Sequence, residues 1–212
     1  MLVVGTGTDV GKTWVSARVL ATLRAAGSTV AARKPAQSFD PGDDPGGFDS
    51  AVLAAATGER SELVCRRERW YEVAMAPPMA ADALGRGRFT LDQLMEELTW
   101  PDPAVDVGLV ETAGGVRSPQ THDGDSVALA RALVPDIVVL VADAGLGTLN
   151  LVRLSVGALP AASAPTVVVL NRYDPNAALH VRNRQWLTEQ DGLSVVEMPG
   201  GEEALASMVR LW

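Results

Sequence analysis

Of eighteen basic residues only Lys12 and Lys34 are lysines, the rest being arginines. An ammonium is a compact point charge on a flexible stem that can meet a phosphoryl oxygen at close range, whereas a guanidinium is a broad fork. A chain that uses arginine everywhere else uses lysine at these two positions because arginine would not fit. Lys12 lies in GTGTDVGKT, residues 5–13, after an apolar run and at the head of a segment of helical period. That is the context of a phosphate-binding loop. Glycines let successive N–H groups converge on phosphate oxygens, and the helix N-terminus adds partial positive charge. Lys12 then neutralises the outer phosphates and the Thr13 hydroxyl reaches Mg²⁺. Gly5 and Gly11 stand six apart, so the loop is one residue longer than the common form.

Mg²⁺ takes hard oxygen donors and keeps several waters, so one or two carboxylates beyond Thr13 are enough. Glu111 ends the apolar run VDVGLVE and leads into TAGG, which places a carboxylate at the end of a buried strand. Ligands bind at that mouth in open α/β sheets. Asp49, in GGFDSA, is the second candidate. From the residues alone it is either a metal ligand or an acid at a helix start, favoured there by the helix dipole.

These groups need a frame. Short apolar β-branched runs at 2–4, 29–33, 107–111, 137–142, 166–170 and 194–197 alternate with segments of helical period at 12–26, 48–57, 78–86, 91–98, 126–133, 149–159, 177–189 and 202–211. The alternation predicts an α/β fold in three layers, a mostly parallel sheet with helices on both faces, forming one domain over 1–212. The acidic Pro/Gly stretch FDPGDDPGG, residues 39–47, is expected to form no regular element. It is either a lid or a solvated connection, with Lys34 and Ser38 before it and Asp49 after it.

Composition narrows the function classes. A net charge of −8 argues against nonspecific nucleic-acid binding, which needs a basic footprint. It favours a small anionic ligand at one focused site. The lone Cys65 makes an intrachain disulfide impossible and points to a reducing, cytoplasmic setting. The chain opens directly on a strand, so no leader is expected. The longest apolar stretch, 128–145, is broken by Arg131, Pro135 and Asp136, which predicts a soluble protein and no membrane span.

With these residues in place, the chain resembles the dethiobiotin synthetase family of P-loop ligases. The lengthened loop GTxxxVGKT is matched by residues 5–13, and the strand-end motif Lys-Pro-x-x-Ser by Lys34, Pro35, Ala36, Gln37 and Ser38. The metal-binding Asp falls on Asp49, and the Glu-Gly-Ala-Gly-Gly turn appears as Glu111, Thr112, Ala113, Gly114 and Gly115. Leu-Gly-x-x-Asn is matched by Leu146, Gly147 and Asn150, and the strand-terminal Asn that recognises adenine by Asn171. The resemblance implies a P-loop NTPase fold and ligation of 7,8-diaminononanoate with CO₂, driven by ATP and Mg²⁺, to dethiobiotin, ADP and phosphate. It implies catalysis by Lys12 and Lys34, and metal ligation by Thr13, Asp49 and Glu111. Nucleotide contacts are implied at Asp9, Val10, Gly11, Lys12, Thr13, Trp14, Asp49, Glu111, Thr112, Ala113, Gly114, Asn171, Arg172, Pro199, Gly200 and Gly201. It also implies a homodimer in which Thr8, Asp9, Lys34 and Ser38 face the amine end of the substrate, while Gly147 and Asn150 of the partner subunit hold its carboxylate.

The chain departs from the family pattern at Phe39, where a small residue is usual, at Thr112 in place of Gly, and in the polar segment 117–126. Phe39 is expected to narrow the amine pocket. His122, Asp123 and Asp125 are read as a solvated helix-capping loop in preference to a metal site. Two other readings stay open. A nucleotide switch of the partition or positioning type would carry a second lysine five residues before Lys12, where Gly7 stands. A related ATP-dependent ligase could act on a different amine.

Overall fold

The computed structural model describes residues 1–160 and 164–211. Its strands are β1 (Leu2–Gly5), β2 (Val30–Arg33), β3 (Gln37–Ser38), β4 (Trp70–Tyr71), β5 (Val107–Glu111), β6 (Val138–Asp143), β7 (Thr166–Asn171) and β8 (Ser194–Glu197). Its α-helices are α1 (Lys12–Ala25), α2 (Asp49–Thr57), α3 (Ser61–Val64), α4 (Pro77–Ala83), α5 (Leu91–Glu97), α6 (Ser126–Leu133), α7 (Thr148–Ala158), α8 (Ala178–Glu189) and α9 (Glu202–Arg210). The main sheet runs β2-β5-β1-β6-β7-β8, and each paired strand is parallel to its neighbour.

Successive side chains of a strand point to opposite faces, and the core follows that period. Val3, Val139, Val141, Val167 and Val169 pack with α1, α2 and α9 through Val15, Leu20, Leu53 and Leu205. Leu2, Val4, Val138, Leu140, Val168 and Leu170 pack on the other face with α6, α7 and α8 through Leu129, Val152 and Leu187. Two buried faces explain why these strands read as continuous apolar runs. The result is the three-layer α/β arrangement of P-loop NTPases. Among the described residues, no helix is long and apolar enough to cross a membrane.

All six expected long strands are present, with ends shifted by a residue at most. The expected helix at 78–86 begins at Pro77 and ends at Ala83. The short pair β3 and β4 was not expected. It is held by only two registers, Gln37 with Trp70 and Ser38 with Tyr71, and covers a separate apolar cluster of Ala36, Tyr71, Ala80, Ala81, Phe89 and Leu94. Two residues carry too little periodicity to announce a strand. The 39–47 segment is irregular except for one 3₁₀ turn, Pro45–Gly47, whose first free N–H, that of Gly46, is taken by Asp44 at 3.1 Å.

The 117–126 segment is only partly the solvated capping loop expected. Asp125 does cap α6, accepting from the Ala128 N–H at 2.9 Å. His122, however, has a buried side chain between Asp82, 3.1 Å from Nε2, and the Phe89 N–H, which donates to Nδ1 at 3.1 Å. An imidazole tip with partners on both sides tolerates burial, which polarity alone does not reveal.

A layer of buried apolar side chains lies between the sheet and α6 to α8. Leu140 is fully buried there, and Leu140→Ala is expected to lower unfolding free energy by about 3 kcal/mol, measured by urea denaturation.

Candidate active site

Parallel pairing brings the C-terminal ends of β1, β2, β5, β6 and β7 to one edge, where Gly5, Arg33, Glu111, Asp143 and Asn171 close their strands. The chain leaves β1 through residues 6–11 and enters α1 at Lys12. Gly11 is required twice over: its φ is +92°, and a Cβ there would lie 2.0 Å from the Asn171 amide nitrogen. That nitrogen donates to the Val10 carbonyl at 3.0 Å, stitching the end of β7 to the loop. Asp9 and Arg172 are both in the left-handed region, at φ 56° and 55°. The Arg172 guanidinium donates to the Asp9 carbonyl at 2.7 Å and pairs with Asp143 at 2.8 Å. Lys12 curls back, its ammonium donating to the Gly7 carbonyl at 3.0 Å.

Beneath the loop lies a dense charged cluster. The buried Lys34 ammonium sits 2.7 Å from Asp49 Oδ2 and 2.9 Å from Glu111 Oε1, and donates to the Thr112 carbonyl at 3.3 Å. Thr13 Oγ1 is 2.6 Å from Asp49 Oδ1 and 2.7 Å from Glu111 Oε1. Ser16, one turn further along α1, donates to the other Glu111 oxygen at 2.7 Å. Glu111 is fully buried, so these contacts replace the water a carboxylate would otherwise need. Burial by itself would lower the Lys34 pKa, but the charges of Asp49 and Glu111 and their hydrogen bonds raise it above the ordinary lysine value. Burial likewise opposes ionisation of Asp49, and Lys34 overcomes it, leaving the carboxyl below its usual range. Lys12 has no such carboxylate in contact. Burial, then repulsion from Lys34, lower it to about 8.

Of the two readings of Asp49, the helix start is observed. Asp49 is the first residue of α2 and also one wall of the cluster. Two carboxylates and a hydroxyl converge on one cation position, a donor set of hard oxygens that can hold a divalent metal.

A cavity of about 540 Å³ opens above the cluster. Of the expected site residues, Thr8, Asp9, Gly11, Lys12, Thr13, Lys34, Ser38, Asp49, Ala113, Gly114 and Arg172 line it. Glu111 and Thr112 are buried below, and the Thr112 hydroxyl has no hydrogen-bond partner among the described residues. Val10 and Asn171 lie buried behind the loop. Trp14 is exposed on the first turn of α1. Pro199, Gly200 and Gly201 form the turn between β8 and α9, tied to α1 through Glu202, which accepts from the Gly200 N–H at 2.9 Å and pairs with Arg18 at 3.2 Å. Gly147 and Asn150 are not brought into the cavity. They sit exposed at the head of α7.

Several cavity residues were missed by sequence reasoning. Gln37, Asp43, Gly47 and Phe48 line the cavity, and Phe39, expected to narrow it, stacks on Phe48 with ring centroids 4.1 Å apart. Ser16 was missed too, although a polar residue three positions after Thr13, on the same helix face, was a signal that could have found it. Gln120 gave no such signal. It reaches back to hold Ala113, accepting from its N–H at 3.0 Å and donating to its carbonyl at 2.8 Å, a contact that no local pattern encodes.

The depressed Lys12 pKa has a measurable consequence. A bound triphosphate favours the charged ammonium, so above pH of about 8 the complex holds more protons than the free protein. Triphosphate affinity is expected to weaken as pH rises through that value, with proton uptake on binding. Calorimetry in buffers of different ionisation enthalpy reads this uptake, and Lys12→Ala should remove it.

Comparison with known proteins places the chain. A family model described as an AAA domain matches residues 1–198. An ATP-dependent dethiobiotin synthetase of Haloferax mediterranei is 37% identical, covering 93% of this chain and 82% of the relative. The enzyme of the same name from Rhodococcus jostii is 38% identical over 98% of this chain and 89% of its own length. That of Anaeromyxobacter dehalogenans is 33% identical over 92% and 88%. A phosphate loop, a buried lysine between two carboxylates and relatives aligned over nearly their full length lead to one conclusion: the chain belongs to the dethiobiotin synthetase family of P-loop ligases.

Proposed function

We propose that the chain is an ATP- and Mg²⁺-dependent ligase that carboxylates 7,8-diaminononanoate with CO₂ and closes the ureido ring, giving dethiobiotin, ADP and phosphate. The observation that carries this reading is the Lys34 ammonium beside the phosphate loop, at the floor of a cavity that Thr8, Asp9 and Ser38 also line. A nucleotide switch of the partition type needs a lysine at Gly7, and membership of a ligase family separates the two readings further.

In this mechanism one amine of the substrate attacks CO₂ and loses a proton to give a carbamate. A carbamate oxygen then attacks the γ-phosphorus and ADP leaves; the second amine attacks the carbonyl carbon of the mixed anhydride, losing a proton and displacing phosphate as the ring closes. The chain supplies position and charge, which dominate phosphoryl transfer. N–H groups of residues 9–13 cradle the phosphates, Lys12 moves from the Gly7 carbonyl onto them, and Lys34 meets the carbamate and the transferring group. Asn171, Arg172 and the 199–201 turn serve the base end. Thr13, Asp49 and Glu111 fit Mg²⁺ by the chemistry of their oxygens. Bound there, the ion would offset charge on the outer phosphates.

The partner in this reading is a second copy of the chain. Leu146, Leu151 and Leu154 are exposed along the loop and face of α7 that carry Gly147 and Asn150. Leu151 and Leu154 also border a second cavity, of about 550 Å³, shared with Thr8. A two-fold interface there would bring the partner subunit's α7 to the amine end of the site. The setting is cytoplasmic.

Three outcomes test the reading. ADP release should require both the diamine and dissolved CO₂, and equal ATPase rates without the diamine would end the assignment. Lys34→Gln should lower kcat by about 100-fold or more while changing ATP affinity little, because its contact tightens in the transition state. Leu154→Glu should sediment as a monomer with turnover reduced at least about tenfold, since a charge in an apolar contact is costly.

A further inference from the structure

The Lys34 ammonium bridges the two carboxylates assigned above to the metal site. It touches one oxygen of each carboxylate, at 2.7 and 2.9 Å, and the Glu111 oxygen it touches, Oε1, is the one that also contacts Thr13. An ammonium lodged between the two carboxylates competes with an incoming ion for one oxygen of each. Two cations cannot share this space, because unit charges a few ångströms apart repel strongly in a poorly solvated site. Nor can Glu111 be left bare: an unpaired buried charge is strongly destabilising, and Glu111 is fully buried. The two cations therefore compete for the same pair of carboxylates.

We propose that Lys34 is a tethered placeholder: its ammonium holds the divalent-metal site closed in the empty enzyme, and arrival of the metal expels it into the cavity toward the transferring phosphoryl group. The inference rests on the metal assignment made above. The main chain at Lys34 stays fixed by its N–H bond to the Val64 carbonyl at 2.8 Å. The freedom lies in the four methylenes of the side chain, and the cavity that Lys34 lines is the open direction. Metal loading and the positioning of the second catalytic cation thus become one event. Without metal that cation stays paired with Asp49 and Glu111.

Mn²⁺ binding to the full-length chain, followed by electron paramagnetic resonance without nucleotide, tests the exchange. Lys34→Met should bind Mn²⁺ at least about tenfold more tightly than the wild type, whereas Lys12→Met, which removes a charge that contacts neither carboxylate, should gain less than about threefold. Equal gains in the two variants, or none in Lys34→Met, would overturn the proposal. Should Lys34→Met fail to fold, the wild type still gives an answer, because ¹⁵N labelling of its two lysines yields two side-chain ammonium signals. The Lys34 signal should be sharp and slow to exchange without metal, and should shift and exchange rapidly with Mg²⁺ and a nonhydrolysable ATP analogue. An unchanged signal would be fatal to the idea. Neither readout involves the diamine, so a different amine substrate would fail the ADP assay and leave both results intact.

Discussion

A fully buried carboxylate, Glu111, is the constraint around which the site is organised. Its charge has no water, so the fold must supply partners, and it does so from three directions: Lys34 after β2, and Thr13 and Ser16 from α1. Each partner depends on register. Val3 lies opposite Glu111 and Arg33 opposite Val110, so the ends of β1, β2 and β5 arrive at one level. A slip of one residue would turn an apolar side chain into the cluster and leave the carboxylate facing the core. The apolar layers on the two faces of the sheet are therefore also what aligns the charges.

Electrostatic asymmetry between the two lysines follows from the same arrangement. Lys34 has two carboxylates in contact and holds its proton firmly, whereas Lys12 has a backbone carbonyl and a like charge nearby. One ammonium is bound to the protein and the other is incompletely satisfied until a phosphate arrives. Sites that must exchange solvent for ligand charge gain from such unequal pairs, since preorganised groups need little rearrangement at the moment of reaction.

Much of this was legible in the sequence, and the limits have physical reasons. The long strands were readable because both faces are buried. The phosphate loop, Lys34 and Glu111 were readable because each ends or begins an element whose pattern is visible, whereas Asp49 was singled out as a metal ligand only by the family resemblance. The β3 and β4 pair, the Gln120 clamp on Ala113, the Phe39 to Phe48 stack and the burial of His122 were not readable. The first and last join segments more than thirty residues apart, and the other two lie within irregular stretches that show no period. Gly147 and Asn150 stand apart from these, exposed at the head of α7 and away from the cavity.

The tie between Asp9 and Arg172 carries one last consequence. Two non-glycine residues held in the left-handed region each cost on the order of 1–3 kcal/mol, and a guanidinium bond to the Asp9 carbonyl joins them across the mouth of the site. The conformational entropy of the loop is therefore lost when the chain folds, before any ligand is present. A nucleotide meets a loop already in shape, so its association has little ordering to impose and its affinity reflects contacts more than rearrangement.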